Sequence, residues 1–266
     1  MKNLNLQHLL LIVTVIAGLV LGAGCGSSQL SEGLSVEQRF EAGKAKFDDG
    51  DYLEAIAEFE IVKVQFPGSN YADDAQFYLG ECHYEREEFL LAAEEYLTLR
   101  RNMPSSPLDT ISQLKIALCY YNLSPPYRLD QRYTNRAIDE FQTFIEYFPT
   151  HARAREAAEK IQELNSRKAK KDFESAVLYM KMEYYKAATV YYSSVIDRYY
   201  DTEFAEPALE GRIRAYVARK KTADALADID RYLEKYPSGT YRSQLQSLRN
   251  ELGSPAPVAG MKSDHK

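Results

Sequence analysis

Histidine, cysteine and long apolar runs are all scarce in this chain of 266 residues, and each scarcity removes a class of function. Of the four histidines, His8 lies in an apolar leader and His265 near the far end, which leaves His83 and His151 isolated. No His/Cys/carboxylate group has the spacing of a metal site, and no metal or cofactor is expected. No G-x-S-x-G, H-E-x-x-H or phosphate-loop pattern occurs. The paired acids Asp73-Asp74, Glu87-Glu88 and Glu94-Glu95 fall in helical stretches, where a solvated face explains them better than acid–base chemistry. The chain therefore reads as non-enzymatic. Its formal charge is −6 and it has no stripe of Lys and Arg, which argues against nucleic acid as a partner. The apolar run Leu9–Leu21 has thirteen residues, short of the ~20 that a membrane-spanning helix needs.

What is abundant is one spacing. A small residue, a large apolar residue four positions on and a turn residue eight beyond that recur five times: Ala55, Phe59, Pro67; Ala92, Tyr96, Pro104; Ala137, Phe141, Pro149; Ala188, Tyr192, Tyr200; Ala225, Ile229, Pro237. In the first unit Ser35 and Gln38 form a capping-box pattern, Phe40, Gly43 and Phe47 share a helix face, and Asp49-Gly50-Asp51 reverses the chain. Tyr52, Ala55, Ile56, Phe59, Val62 and Phe66 then continue at helical spacing to Pro67-Gly68. Gly43 and Ala55 let two helix axes approach to about 8–10 Å. Such a hairpin buries its apolar face only against its neighbours, so the fold expected is all-α, a superhelical solenoid of about five helix hairpins.

Gly43, Ala55, Phe59 and Pro67, and again Gly80, Ala92, Tyr96 and Pro104, resemble the tetratricopeptide repeat. The third unit matches through Ala117, Ala137, Phe141 and Pro149 but carries about eight extra residues around Ser124-Pro125-Pro126-Tyr127. The fourth has Tyr200 for the terminal proline and the fifth has Ile229 for the aromatic. Between Pro149 and Pro207 there is neither glycine nor proline, and the three-four spacing from Ala154 to Met180 predicts one helix of about 30 residues, near 45 Å long. The organisation expected is a signal peptide over 1–24, a tether over 25–35, repeats one to three over 36–150, the long helix with repeats four and five over 151–252, and a tail without periodicity over 253–266.

The leader reads as an export signal. Gly22-Ala23-Gly24 before Cys25, followed by Gly26-Ser27-Ser28-Gln29, resembles the bacterial lipobox, although Gly22 stands where leucine is favoured. The resemblance implies cleavage before Cys25 and its acylation; the plainer reading is ordinary signal cleavage near Ala23. Loss of residues 1–24, with Lys2, takes the formal charge to −7. Residue Gly26, rather than the aspartate that retains many lipoproteins at the inner membrane, implies the outer membrane. Buried acyl chains contribute about 0.8 kcal/mol per methylene, enough for stable anchoring when several are attached. Cys82 and Cys119 occupy the same place in consecutive units, two residues after Gly80 and Ala117, so repeat symmetry predicts two buried free thiols rather than a bridge.

The ordered set as a whole resembles the outer-membrane assembly lipoprotein family BamD, also called YfiO, of the β-barrel assembly machinery. Its elements are Cys25, five repeats, the third-unit insertion with Arg128, Asp130-Gln131 and Ala137, and Lys168-Ala169-Lys170-Lys171 before Phe173. To these add Tyr184-Tyr185-Lys186-Ala187-Ala188 through Val195-Ile196 to Tyr199, Asp201 and Thr202, with Tyr200 where the family usually has proline. The resemblance implies a lipid-anchored scaffold on the periplasmic face of the outer membrane. Its implied partners are the periplasmic domains of a core barrel subunit, client β-barrel proteins whose targeting strand it receives, and accessory assembly lipoproteins. A different envelope lipoprotein of the same repeat class is the rival reading; an enzyme or small-molecule carrier would need a polar pocket that no spacing supplies.

Two surfaces are candidates. The repeat template projects Phe40, Lys44, Phe47, Phe77, Glu81, Tyr84, Leu114, Leu118 and Tyr121 along one concave wall. Phe40, Phe47, Phe77, Tyr84, Leu114, Leu118 and Tyr121 would then form an aromatic and aliphatic groove for an extended client peptide, unless they merely pack between helices. Arg212, Arg214, Arg219, Lys220 and Lys221 form a basic cluster that either docks on carboxylates of the core subunit or is a solvated helix end.

Overall fold

The computed structural model describes residues 33–253. Among these residues there are eleven helices and no strand. They pair as α1 (Val36–Asp48) with α2 (Tyr52–Gln65), α3 (Ala72–Glu85) with α4 (Phe89–Asn102), and α5 (Asp109–Leu123) with α6 (Arg132–Tyr147). Then follow α7 (Ala154–Lys181) with α8 (Tyr185–Arg198), α9 (Ala205–Ala218) with α10 (Thr222–Lys235), and a closing helix α11 (Arg242–Gly253). Each helix packs mainly on its sequence neighbours, the pattern of a solenoid. Among the described residues no helix is long and apolar enough to cross a membrane. The leader, Cys25 and residues 254–266 lie outside the described residues.

Local chemistry sets the ends of these helices. Ser35 Oγ accepts from the Gln38 N–H at 3.2 Å while Gln38 Oε1 accepts from the Ser35 N–H at 3.0 Å, a complete capping box at the start of α1. Four hairpins turn through three residues whose middle member is left-handed: Gly50, Glu87, Glu183 and Lys220, with φ of 83°, 60°, 62° and 57°. In each, the next N–H reaches back into the last turn of the helix, as Asp51 to the Lys46 carbonyl at 2.9 Å and Lys221 to that of Tyr216 at 2.9 Å. The third hairpin has no such turn. The chain leaves α5 extended at Ser124 and takes residues 124–131 to reach α6.

Between hairpins one turn is used five times. The N–H groups of Ser69, Ser106, His151, Thr202 and Gly239 donate to the carbonyls of Phe66, Met103, Phe148, Tyr199 and Tyr236 at 3.0–3.1 Å. Proline follows four of those carbonyl residues, where its fixed φ suits the second position of the turn. Tyr199 adopts the same backbone without a proline after it (φ −125°, ψ 39°), and Thr202 Oγ1 adds a bond to its carbonyl at 2.8 Å. That bond accounts for how Tyr200 stands where the others have proline.

The core runs the length of the stack. A Cβ on Gly80 would lie 2.5 Å from the ring of Tyr96, so this helix pair closes only because the position has no side chain. Ile229 replaces the aromatic in the fifth hairpin and shares its buried cluster with Ile213, which stands where earlier repeats have glycine or alanine. Bulk lost at position 229 is made up on the other helix. α7 has 28 residues, about 42 Å at 1.5 Å per residue. Its Ala157 and Leu164 belong to the cluster of the third hairpin, whereas its Ala169 and Ala176 belong to that of the fourth and fifth. Leu245 of α11 closes the last of these clusters.

Candidate functional site

The first helices of the hairpins, α1, α3, α5 and α7, meet along one face through alternating rings and cations. Lys44 Nζ sits 5.6 Å from the Phe47 ring and 5.2 Å from that of Tyr78. Lys115 Nζ lies 4.7 Å from the Tyr84 ring and pairs with Glu81 at 2.7 Å, while Asn122 Nδ2 donates to the Tyr84 hydroxyl at 2.9 Å. Lys160 Nζ lies 4.0 Å from the Tyr121 ring, whose hydroxyl donates to Glu163 at 2.6 Å. Burial and the bond to Glu163 push the Tyr121 phenol up to about 12. Phe47, Tyr84 and Tyr121 each stand four residues after the small residue of their repeat and are half-buried. The result is a wall of rings and ammonium groups.

Two residues of the projected groove do not reach this surface. Phe40 is 8% exposed, covered by Tyr71 and Tyr78 at 5.1 and 5.9 Å between ring centres, and Leu114 is 1% exposed in the core with Ala137 and Phe141. Both stand three residues before the small position, one turn back into the stack. Phe77, at the same register, packs on Tyr96 at 5.5 Å and is half-buried, as is Leu118. The repeat template merged two depths of one helix face. Tyr78, Lys115, Asn122, Lys160 and Glu163 were missed, because Lys115 and Lys160 meet rings of the preceding hairpin, Tyr84 and Tyr121, across a separation that no short-range spacing announces.

The basic cluster also divides. Arg212 is 8% exposed and buried between helices: Nε and Nη2 donate to Asp228 at 2.7 Å each and Nη1 donates to Ser193 Oγ at 2.8 Å. It therefore joins α8, α9 and α10 and, contrary to the expectation of a surface cation, presents no unpaired charge. Asp228 stands three residues after Ala225, as Glu58, Glu95 and Glu140 do after Ala55, Ala92 and Ala137, and each takes a bond from a first-helix Arg or Gln. This repeated acid was readable as Ala-x-x-Glu/Asp. Arg214 is exposed and paired with Glu210 on its own helix. Arg219, Lys220 and Lys221 form the turn into α10, and Arg219 lines an apolar cleft of about 590 Å³ with Tyr184, Tyr185 and Val190.

Cys82 and Cys119 are free and fully buried, and burial pushes both thiols up to about 12. They belong to separate core clusters. Among the described residues no three His, Cys, Asp or Glu side chains gather as a metal site.

The family described as YfiO, outer membrane lipoprotein, matches residues 33–223, from just before α1 to the start of α10. This chain belongs to the YfiO family. Among its curated relatives, the outer membrane protein assembly factor BamD of Caulobacter vibrioides is 26% identical over 215 residues, 77% of this chain and 70% of its own. That of Neisseria meningitidis serogroup B is 24% identical over 252 residues, 88% and 94% of the two chains. Similar solved structures include the TPR2AB domain complex of yeast Sti1 (15% identity, TM-score 0.41, 81% and 84% covered) and the TPR domain of P58(IPK) (18%, 0.42, 82% and 55%). The last hairpin's second helix and α11 extend beyond the segment matched to YfiO.

Proposed function

We propose that this chain is a non-catalytic scaffold in the assembly of outer-membrane β-barrel proteins, tethered by lipid on Cys25 to the periplasmic face of the outer membrane. Membership of the YfiO family and relatives named as outer membrane protein assembly factors support the role. The N-terminal hairpins receive the targeting peptide of a client; the C-terminal half meets the core subunit through the cleft of Tyr184, Val190 and Arg219, rimmed by Lys220 and Lys221. The observation that carries the peptide reading is the series Phe47, Tyr84 and Tyr121, each with a lysine over its ring or beside it. The rings accept the apolar side chains of an extended strand, and Lys160, which unlike Lys44 and Lys115 has no carboxylate within salt-bridge distance among the described residues, favours its terminal carboxylate.

Binding of a fluorescent peptide with a C-terminal phenylalanine tests this. Tyr84→Ala with Tyr121→Ala, and amidation of the peptide, are each expected to weaken binding, with the helical circular dichroism retained. Equal binding in all three cases refutes the wall as the receptor. Cys25→Ser is expected to release the protein from outer-membrane fractions.

A further inference from the structure

The eight-residue loop of the third hairpin is pinned to α7. Arg167 Nη1 donates to the carbonyls of Ser124 and Pro125 at 3.0 and 3.4 Å and to Ser124 Oγ at 2.8 Å; Lys171 Nζ donates to the Leu129 carbonyl at 2.7 Å. Gln131 Nε2 closes the loop on itself through the Pro126 and Leu129 carbonyls at 3.0 and 3.1 Å. Lys170 lies over the Tyr127 ring at 4.9 Å. With its carbonyls occupied from below, the loop is preorganised, and it still presents Leu129 at 59% exposure.

Between this loop and α7 is a cleft of about 350 Å³, lined by Tyr127, Arg128, Lys171, Val177, Leu178 and Lys181, with Glu174 as its single carboxylate. Leu178 is 56% exposed. Among the described residues most other cations are ion-paired, but none of Arg128, Lys171 and Lys181 has a carboxylate within salt-bridge distance; Arg128 Nε donates to the Tyr127 hydroxyl at 3.0 Å, and neighbouring Asp130, though it feels the Lys171 charge, is bonded to Arg132 at 2.9 Å. Three cations without a carboxylate partner around an apolar floor, on a chain of net charge −6, are a local reversal of sign. A concave, two-walled cleft with such a floor fits a side chain inserted from an extended segment better than it fits a flat headgroup layer.

We propose that this cleft docks an acidic peptide segment of a partner protein, with a leucine or phenylalanine seated against Val177 and Leu178 and flanking carboxylates on Arg128, Lys171 and Lys181. The site is distinct from the ring-and-lysine wall and from the Tyr184 cleft. Its test uses the purified chain, a fluorescein-labelled peptide Glu-Asp-Leu-Phe-Asp-Glu, the isosteric Gln-Asn-Leu-Phe-Asn-Gln, and phosphatidylglycerol vesicles. The acidic peptide is expected to bind saturably with a Kd below about 1 mM. Arg128→Glu with Lys181→Glu is expected to weaken it at least about tenfold, and added salt to weaken it further. Arg155→Glu, at an exposed site on the other end of α7, and Tyr84→Ala with Tyr121→Ala are expected to leave it unchanged. Absence of saturable binding, equal binding of the neutral peptide, or an equal loss in Arg155→Glu overturns the proposal. So does vesicle binding lost in the Arg128→Glu, Lys181→Glu variant while the peptide fails to bind, which would make the cleft a membrane contact.

Discussion

Alanine at Gly80 sets two well-measured effects against each other, and the sign of the result tests the packing argument. Glycine inside α3 forgoes about 0.8–1.0 kcal/mol of helix propensity relative to alanine, so on propensity alone Gly80→Ala stabilises. The added Cβ, however, would stand 2.5, 2.8 and 2.8 Å from three atoms of the Tyr96 ring. That ring cannot slide away cheaply: it is fully buried, its hydroxyl is bonded to Glu81, and Phe77 packs on it at 5.5 Å. Overpacking of this kind costs about 1–3 kcal/mol, which leaves a net loss of about 1 kcal/mol. For a domain of this size the melting temperature should fall by about 2–4 °C. Thermal unfolding followed at 222 nm reads the shift, with Gly68→Ala, which meets nothing within 4 Å, as the control. On a Tyr96→Leu background the same Gly80→Ala change should become neutral or stabilising, because the obstructing ring is gone. A higher melting temperature for Gly80→Ala alone, or no coupling to position 96, refutes the reasoning. Gly43→Ala, whose nearest contact is 2.8 Å from Phe59, should cost less than Gly80→Ala.

Tyr200→Pro should stabilise by about 0.4–1 kcal/mol, because the Thr202-to-Tyr199 turn already has the form that proline occupies in the other repeats; chemical denaturation checks it. Asp228→Asn should cost about 3–5 kcal/mol by stranding the buried Arg212 guanidinium, whereas replacing both partners by apolar residues should cost far less; urea midpoints of the three variants decide. Cys82 and Cys119, with thiols pushed up to about 12, should resist alkylation at pH 8 in the native protein and react fully in denaturant, with no bridge formed under mild oxidation on a non-reducing gel.

The repeat architecture was legible because each hairpin repeats its small–aromatic–turn spacing, and that spacing is set by helix contacts local to one unit. Even the departures had readable compensation: Ile213 for the missing aromatic at Ile229, Thr202 for the missing proline at Tyr200. The surface was less legible. Residues at −3 and +4 from the small position share a helix face in any template, and their depth is set unit by unit: Phe40 lies under Tyr71 and Tyr78 and Leu114 in the core with Ala137 and Phe141, while Phe77 at the same register stays half-buried like Tyr84 and Tyr121. Arg212 looked like surface charge because its partner Asp228 lies sixteen residues away on the facing helix. α11 continues the stack after the fifth unit as a half-repeat, with no partner helix in the spacing to announce it.

The arrangement of the core bears on how the proposed surfaces could work together. Leu164, the last α7 residue in the third-hairpin cluster, and Ala169, the first in the C-terminal cluster, are five residues apart on one unbroken helix. A sharp kink between them would have to break backbone hydrogen bonds of α7 and strip buried contacts on both sides. The same segment carries Arg167, Lys170 and Lys171, which hold the third-hairpin loop and so splint the helix from outside. The missing glycine and proline between Pro149 and Pro207 thus have a mechanical meaning: the N-terminal wall and the C-terminal cleft sit on one beam. A client held at one and a partner held at the other would be kept at a fixed separation, and the loop cleft, whose other wall is the C-terminal half of the same helix, would give a third contact on that beam.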